Sequence, residues 1–556
     1  MNNTENVIQF DRSDLRLLDL AVRRREKGDY EGALATLFSL EDNGCKLIDV
    51  LSEIATTYMD LGLYTHATKY WFRYLAHCTK NKQSRAFNAL GACYFYMDNF
   101  PMSGYYFERQ IIQFGDEPQE YDDVMMEFYD GFSEIAKPDF YLCYPEKNIP
   151  SSRIVEESDV LFLKKDFKGA EEMLAGIEKD DEYYSEAQSK IAACKFCEKD
   201  LDGAIEVLKS LVESDGKDKL ALINLIGMFF VAGRGKEAEP YFKMCEELDF
   251  KESAECYKLA ASYCDAGKTE MAEKYLEKAV ADEPYDINSV FLLALVYYNL
   301  KKFKNAEKYF SRCYKITQSP TAKYYCKLCR DTADGVTEFR TLSYVFNVPK
   351  NEISDRIDLI RLICEHDVKV INKIPKEVLL ELCEWTFSFE SKAQEPLTEA
   401  LLRSKSPSIR RFFLNRLIDP TVGDEIKSLI LTKLAESGYD KKVGAVFGFI
   451  FSKIQLLRAE FDKEKNGVFN SAYALAFGKL APLEPDKTYK IRDAAYSLYY
   501  TLKDNGNLRK ISDVNALAGA IAILSEFKVT EQKSIIAEYF LTAKDKIKKI
   551  IDLSKE

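Results

Sequence analysis

The chain has 556 residues, of which 47% are hydrophobic, and a net charge of −12. That is long enough for several domains and suits a folded, soluble protein. The opening MNNTENVIQFDRSD has neither an apolar core nor a basic lead, so no signal peptide is expected. The longest apolar runs, GAVFGFIF and ALAGAIAIL, are too short to span a bilayer. The expectation is a cytoplasmic protein with no membrane contact, whose 14 cysteines are mostly reduced core thiols.

The first elements repeat. Ala33 and Ala67 are 34 residues apart and Ser103 follows 36 later, each with a small partner twelve residues before it: Ala21, Ala55 and Gly91. The turns KGDYEGA, LGLYTHA and MDNFPMS match in shape. A degenerate unit follows, with EYDDVMMEFYDGFSEIA as its first helix. Pro138, Pro145 and Pro150 deny its second half an ordinary helix, so residues 137–151 read as a loop that bends or divides the array.

From residue 152 the register is strict. Ala170, Ala204, Ala238, Ala272 and Ala306 recur every 34 residues. Twelve before them stand Ser158, Ala192, Ile226, Ala260 and Ala294, and four after them Leu174, Leu208, Phe242, Leu276 and Phe310. Gly267-Lys268-Thr269 imitates the end of a phosphate-binding loop. Such a loop needs a glycine five residues before the Gly-Lys pair and a strand leading in. Ser262 occupies that place, and Tyr257, Ala260, Ala261 and Cys264 show helical spacing. The tripeptide therefore reads as the turn of a helical hairpin.

A 34-residue helix–turn–helix unit with small residues at the hairpin contact and a large apolar residue between hairpins resembles the tetratricopeptide repeat, over residues 12–335. The resemblance implies a groove lined by the first helix of each unit, at positions eight and fifteen before the register alanine. Phe162, Phe196, Phe230, Cys264 and Tyr298 hold the first position, and Ile223, Tyr257 and Phe291 belong to the second. Asp159, Glu186 and Asp265 lie alongside, so the implied ligand is a protein or peptide segment, apolar with basic flanks. Packing between repeats is the other reading of this aromatic ladder. Lysine and asparagine of the family's carboxylate clamp are not evident, and only Arg85 and Asn88 resemble part of one.

Catalytic and metal signals are sparse. Cys194/Cys197 and Cys326/Cys329 are Cys-x-x-Cys pairs several repeats apart, without a nearby histidine, and i, i+3 thiols simply share a helix face. His66, His77 and His366 are the only histidines, and no nucleophile–His–acid order or HExxH occurs. No cofactor, metal or enzymatic activity is expected.

Beyond Pro349 the register fades. Residues 406–438 read as two amphipathic helices joined at Asp419-Pro420, starting at Ser406-Pro407 and stopping at Gly438, and this pair resembles a HEAT-type hairpin. Gly444 to Leu502 reads as aromatic and helical, broken at Gly467 and at Pro482/Pro485. The segment 514–550 is similar to the end of a cyclin-like or general-transcription-factor-type helical repeat with a helix-turn-helix. Thr530, Gln532, Ile536 and Ala537 would lie on its first helix and Ile547, Ile550 and Ile551 inside its second. Lys544, Lys546, Lys548 and Lys549 would face outward, although the usual turn glycine after Phe540 is absent. Residues 401–556 hold 27 Lys+Arg against 19 Asp+Glu, so an acidic array precedes a basic end. Nucleic acid could be contacted only there, and a solvated basic face on a capping helix is the alternative.

The expected fold is thus all-α: a superhelical tetratricopeptide-repeat solenoid in two sub-arrays followed by an α-helical C-terminal region. The expected divisions are an array at 1–136, the break at 137–151, a second array at 152–335, a HEAT-like region at 336–485 and a C-terminal helical domain at 486–556. The expected function is a non-enzymatic scaffold or adaptor that holds a partner's peptide or helix. The rival is a regulator whose array senses a partner while its basic end touches nucleic acid.

Overall fold

The computed structural model describes residues 12–115, 119–135, 151–366, 368–404, 406–461, 467–527 and 533–555. Its contacts divide the chain into two compact units, Met1–Lys137 with Lys350–Glu556, and Pro138–Pro349. The proline loop expected at 137–151 lies outside the described residues apart from Ser151, which opens a helix. Thr530 and Gln532 also lie outside them.

The first unit begins with helical hairpins. They are α1 (Arg12–Glu26) with α2 (Tyr30–Asp42), α3 (Asp49–Asp60) with α4 (Tyr64–His77), and α5 (Gln83–Tyr96) with α6 (Phe100–Phe114), followed by α7 (Asp122–Ile135). Ala21, Ala33, Ala55 and Ala67 are fully buried where paired helices meet. At Gly91 the approach is closest: a Cβ there would fall 2.4 Å from the Phe107 ring. The neighbouring Ser103 hydroxyl donates to the Gly91 carbonyl at 2.9 Å.

The second unit holds the strict repeat. Its hairpins are α8 (Ser151–Leu163) with α9 (Phe167–Leu174), α10 (Tyr184–Cys197) with α11 (Leu201–Ser214), and α12 (Lys219–Val231) with α13 (Glu239–Glu246). Then come α14 (Ser253–Asp265) with α15 (Thr269–Asp282), α16 (Ile287–Asn299) with α17 (Phe303–Thr317), and α18 (Pro320–Ala333). Every register alanine from Ala170 to Ala306 is buried, as are their partners from Ser158 to Ala294 and the large residues Leu174, Leu208, Phe242, Leu276 and Phe310. Small side chains let each hairpin close, and the large ones fill the space against the next, which is why one unit cannot stand alone. Gly267-Lys268-Thr269 is the α14–α15 turn: Gly267 has φ +69°, and the Lys268 amide donates to the Tyr263 carbonyl at 2.9 Å.

The remainder of the first unit is helical with one exception. Its helices are α19 (Lys350–Glu365), α20 (Val368–Ile371), α21 (Lys376–Phe389), α22 (Ser391–Leu402), α23 (Pro407–Leu417) and α24 (Asp424–Glu436). A β-hairpin follows, β1 (Lys442–Phe447) and β2 (Ile450–Gln455), then α25 (Gly467–Leu480), α26 (Thr488–Asp504), α27 (Val514–Leu524), α28 (Lys533–Tyr539) and α29 (Lys544–Leu553). The helical reading from Gly444 is thus corrected: 444–455 is strand and turn, and 456–461 is neither helix nor strand. The strands pair antiparallel with Val443 opposite Ile454 on one face and Val446 opposite Phe451 on the other, and all four are buried. Gly448 and Phe449 both have positive φ, the two-residue turn whose twist matches paired strands. Ser406-Pro407 and Gly438 do bound α23 and α24, but α24 packs most extensively on α25.

Candidate functional site

The candidate groove is the first-helix face of the second unit. Each ladder residue sits near the end of a first helix, and two of them meet the residue that opens the second helix of their own hairpin. Phe162 meets Phe167 edge-on with centroids 5.1 Å apart, and Tyr298 meets Phe303 at 5.3 Å. Phe230 lies over Gly235, where a Cβ would be 2.6 Å from its ring, so this hairpin admits the ring only because Gly235 has no side chain.

Exposure along the ladder is uneven. Phe196 is 42% exposed, Phe162 and Phe230 are half-buried, and Cys264 and Tyr298 are buried. Tyr257 is half-buried against the core, and Phe291 is buried among Phe310, Tyr325 and Phe346. Of the acidic residues, Asp159 and Glu186 are exposed and share Lys190, Glu186 at 3.7 Å. Asp265 is exposed at the end of α14, with partial burial raising its carboxyl above the usual range.

Tyr298 and Phe291 are covered by a segment that spacing alone did not single out. After α18 the chain runs without helix from Gly335 to Pro349 and folds back over α16. Asn299 holds it by both ends of its amide: its Nδ2 donates to the Leu342 carbonyl at 2.9 Å, and the Leu342 amide donates to its Oδ1 at 2.8 Å. Phe339 stacks on Tyr298 at 5.7 Å, and the Tyr325 hydroxyl donates to the Asn347 carbonyl at 2.8 Å. Two sequence signals were available: an amide next to the ladder position on α16, and an apolar run, FRTLSYVFNV, in a stretch without helical spacing.

Other sites are engaged by the chain itself. Arg85 reaches Glu120 at 3.3 Å and Glu53 at 3.7 Å, and Asn88 bonds Asp122 and the Tyr121 amide. Cys194 and Cys326 are buried thiols pushed up to about 11, and Cys329 is pushed higher still by burial. At the C-terminus Ile547 and Ile550 are buried and Lys544, Lys546, Lys548 and Lys549 exposed, with Lys546 paired to Asp513 at 2.9 Å. The turn between α28 and α29 forms without glycine because Leu541 itself takes φ +51°.

Helix pairs that begin every 34 residues, with buried small residues at fixed register, define the repeat. Residues 265–330 match a family model described as anaphase-promoting complex, cyclosome, subunit 3. The chain carries tetratricopeptide repeats. No curated protein matches it. Among solved structures it is similar to yeast Tom70, at 13% identity and TM-score 0.27, over 96% of this chain and 99% of that one. It is also similar to the TPR2AB-domain:pHSP90 complex of yeast Sti1, at 12% and 0.21, over 55% and 98%. The Cut9–Hcn1 hetero-tetramer of the APC/C is a third, at 14% and 0.24, over 76% and 84%. These superpositions are too loose to carry a conclusion, and the tetratricopeptide assignment rests on the repeat geometry and the family match.

Proposed function

We propose that this tetratricopeptide-repeat chain is a non-enzymatic scaffold that holds a partner's segment on the first-helix face of residues 152–335. The observation that carries the reading is Phe196: a ring 42% exposed, at the repeat position whose counterparts Cys264 and Tyr298 are buried. Phe162 and Phe230 flank it in register and contribute further apolar surface. Asp159 and Glu186 are exposed in the same repeats and favour a ligand with basic flanks.

Phe196→Ser tests this. An exposed ring contributes little to folding, so the melting temperature should stay within a few degrees. Capture of partners by the tagged chain, followed by mass spectrometry, should fall about tenfold or more. Capture that is unchanged in the folded variant overturns the reading. The exposed lysines of α29 favour a second reading, contact with nucleic acid. The full chain should then bind duplex DNA with strong salt dependence, and changing Lys544, Lys548 and Lys549 to Glu should abolish it.

A further inference from the structure

The segment from Glu338 to Val348 is seated where the scaffold reading would seat a ligand. Phe339 lies on Tyr298 and 6.0 Å from Phe303, with Lys301 Nζ 5.0 Å from its ring. Leu342 is buried beside the pair of hydrogen bonds it exchanges with Asn299. The Tyr344 hydroxyl is 3.0 Å from that of Thr269, at the start of α15, and Phe346 lies 4.2 Å from Phe291. The segment bends between Ser343 and Asn347, with the Val345 amide bonded to the Ser343 carbonyl and the Asn347 amide to the Val345 carbonyl. An amide that pairs with both backbone polar groups of one residue holds the segment regardless of side chain, and the neighbouring rings take its side chains. Backbone bonds for affinity and side-chain contacts for specificity are how a groove recognises a peptide.

The segment is held by these contacts and not by secondary structure. It has no helix or strand of its own, and Val336 and Val345 are 76% and 59% exposed although both are apolar. Structureless connections of this length in compact domains are uncommon and are usually functional or disordered. Segments without helix or strand bonds open at lower free energy than packed helices.

We propose that the part of the first-helix face formed by α16 and α18, with the start of α15, is a binding site in its own right, for a bent, non-helical segment with an aromatic residue, an aliphatic three later, and rings five and seven later. Residues 338–348 are its resident and displaceable occupant. The inference rests on the scaffold reading for its purpose, but the site is separate from Phe196. A partner bearing this pattern takes the place of the strap and uses Asn299 in the same way.

A labelled peptide of residues 336–349, added to the full chain, tests the site without any unknown partner. The unaltered chain should bind it weakly, because its own strap fills the site. The double variant Phe339→Ser/Leu342→Ser loosens the strap and should bind it about tenfold tighter or more, since affinity scales with the open fraction. Adding Asn299→Ala should remove that gain. Equal binding by the unaltered and loosened chains, or none by a loosened chain with unchanged helicity and melting temperature, overturns the proposal. Should the double variant not fold, hydrogen exchange on the unaltered chain decides: amides of 338–348 should exchange well ahead of those of α16, and exchange in step with α16 overturns the proposal. Loss of capture by Phe196→Ser bears on the scaffold reading alone and leaves this outcome untouched.

Discussion

The residue five before each register position is left-handed in every described hairpin turn: Gly28, Gly62, Gly233 and Gly267, but also Asp98, Lys165, Lys199 and Lys301. A Cβ at Gly267 would meet nothing within 4 Å, so the glycine is there for its dihedral and not for space. A non-glycine residue in this region costs about 1–2 kcal/mol, partly offset by the greater unfolded-state freedom of glycine. Lys199→Gly should therefore stabilise the chain by about 0.5–1 kcal/mol, read from urea unfolding, and Gly267→Ala should destabilise it by about as much. His66 bears on pH. Burial, reinforced by Lys69, lowers its imidazole to about 4 against a partial opposing pull from Asp419. The unfolded chain then takes up a proton near pH 6.5 that the folded chain refuses until about pH 4. Stability is at full value above pH 6.5 and falls as pH drops toward 4. In melting curves across that range, His66→Gln should flatten this part of the fall.

Elements are set by the small residues that let them meet. Ala204 is fully buried between α10 and α11, so Ala204→Leu should overpack that contact and cost about 1–3 kcal/mol in thermal unfolding. An unchanged melting temperature would remove the register described above. Lys268 shows the opposite case. Its ammonium pairs with Glu239 at 2.8 Å and lies 4.6 Å from the Phe242 ring, but at a partly exposed turn. Lys268→Ala should change stability by less than about 1 kcal/mol, and nucleotide binding that disappears with it would contradict the turn assignment. The β-hairpin is tied by its tip: the Tyr106 hydroxyl donates to the Phe449 carbonyl at 2.6 Å, and Phe449 meets Tyr94 edge-on at 5.9 Å.

For the molecule as a whole, the first unit is assembled from both ends of the chain. Lys69 of α4 reaches Asp419, after α23, at 3.4 Å, and Arg416 reaches the same carboxylate at 2.9 Å. Burial alone would push the Asp419 carboxyl up, yet the two cations and Thr421 hold it below the usual range. Asp419→Asn would leave two cations facing a neutral group in a buried site and should cost about 2–4 kcal/mol. The measurement is thermal unfolding of the full chain at neutral pH. A cost near zero would mean that this ion cluster adds nothing to the hold of the N-terminal hairpins on the C-terminal half.

The repeat was legible from residues 12 to 335 because its determinants are local and periodic: a small residue where two helices cross, a large one four positions later, a turn between. Helix α24 and its stop at Gly438 were legible for the same reason. The hairpin at Lys442–Gln455 was missed because a short apolar run suits a buried strand and a buried helix equally until something packs against it. Exposure along the ladder was not legible at all. Phe196 and Tyr298 hold the same repeat position, yet one faces solvent and the other lies under Phe339, because a strap more than 30 residues further along the chain folds back over one and not the other. Periodicity in sequence determines which residues share a face; only the path of the rest of the chain decides which part of that face is left open.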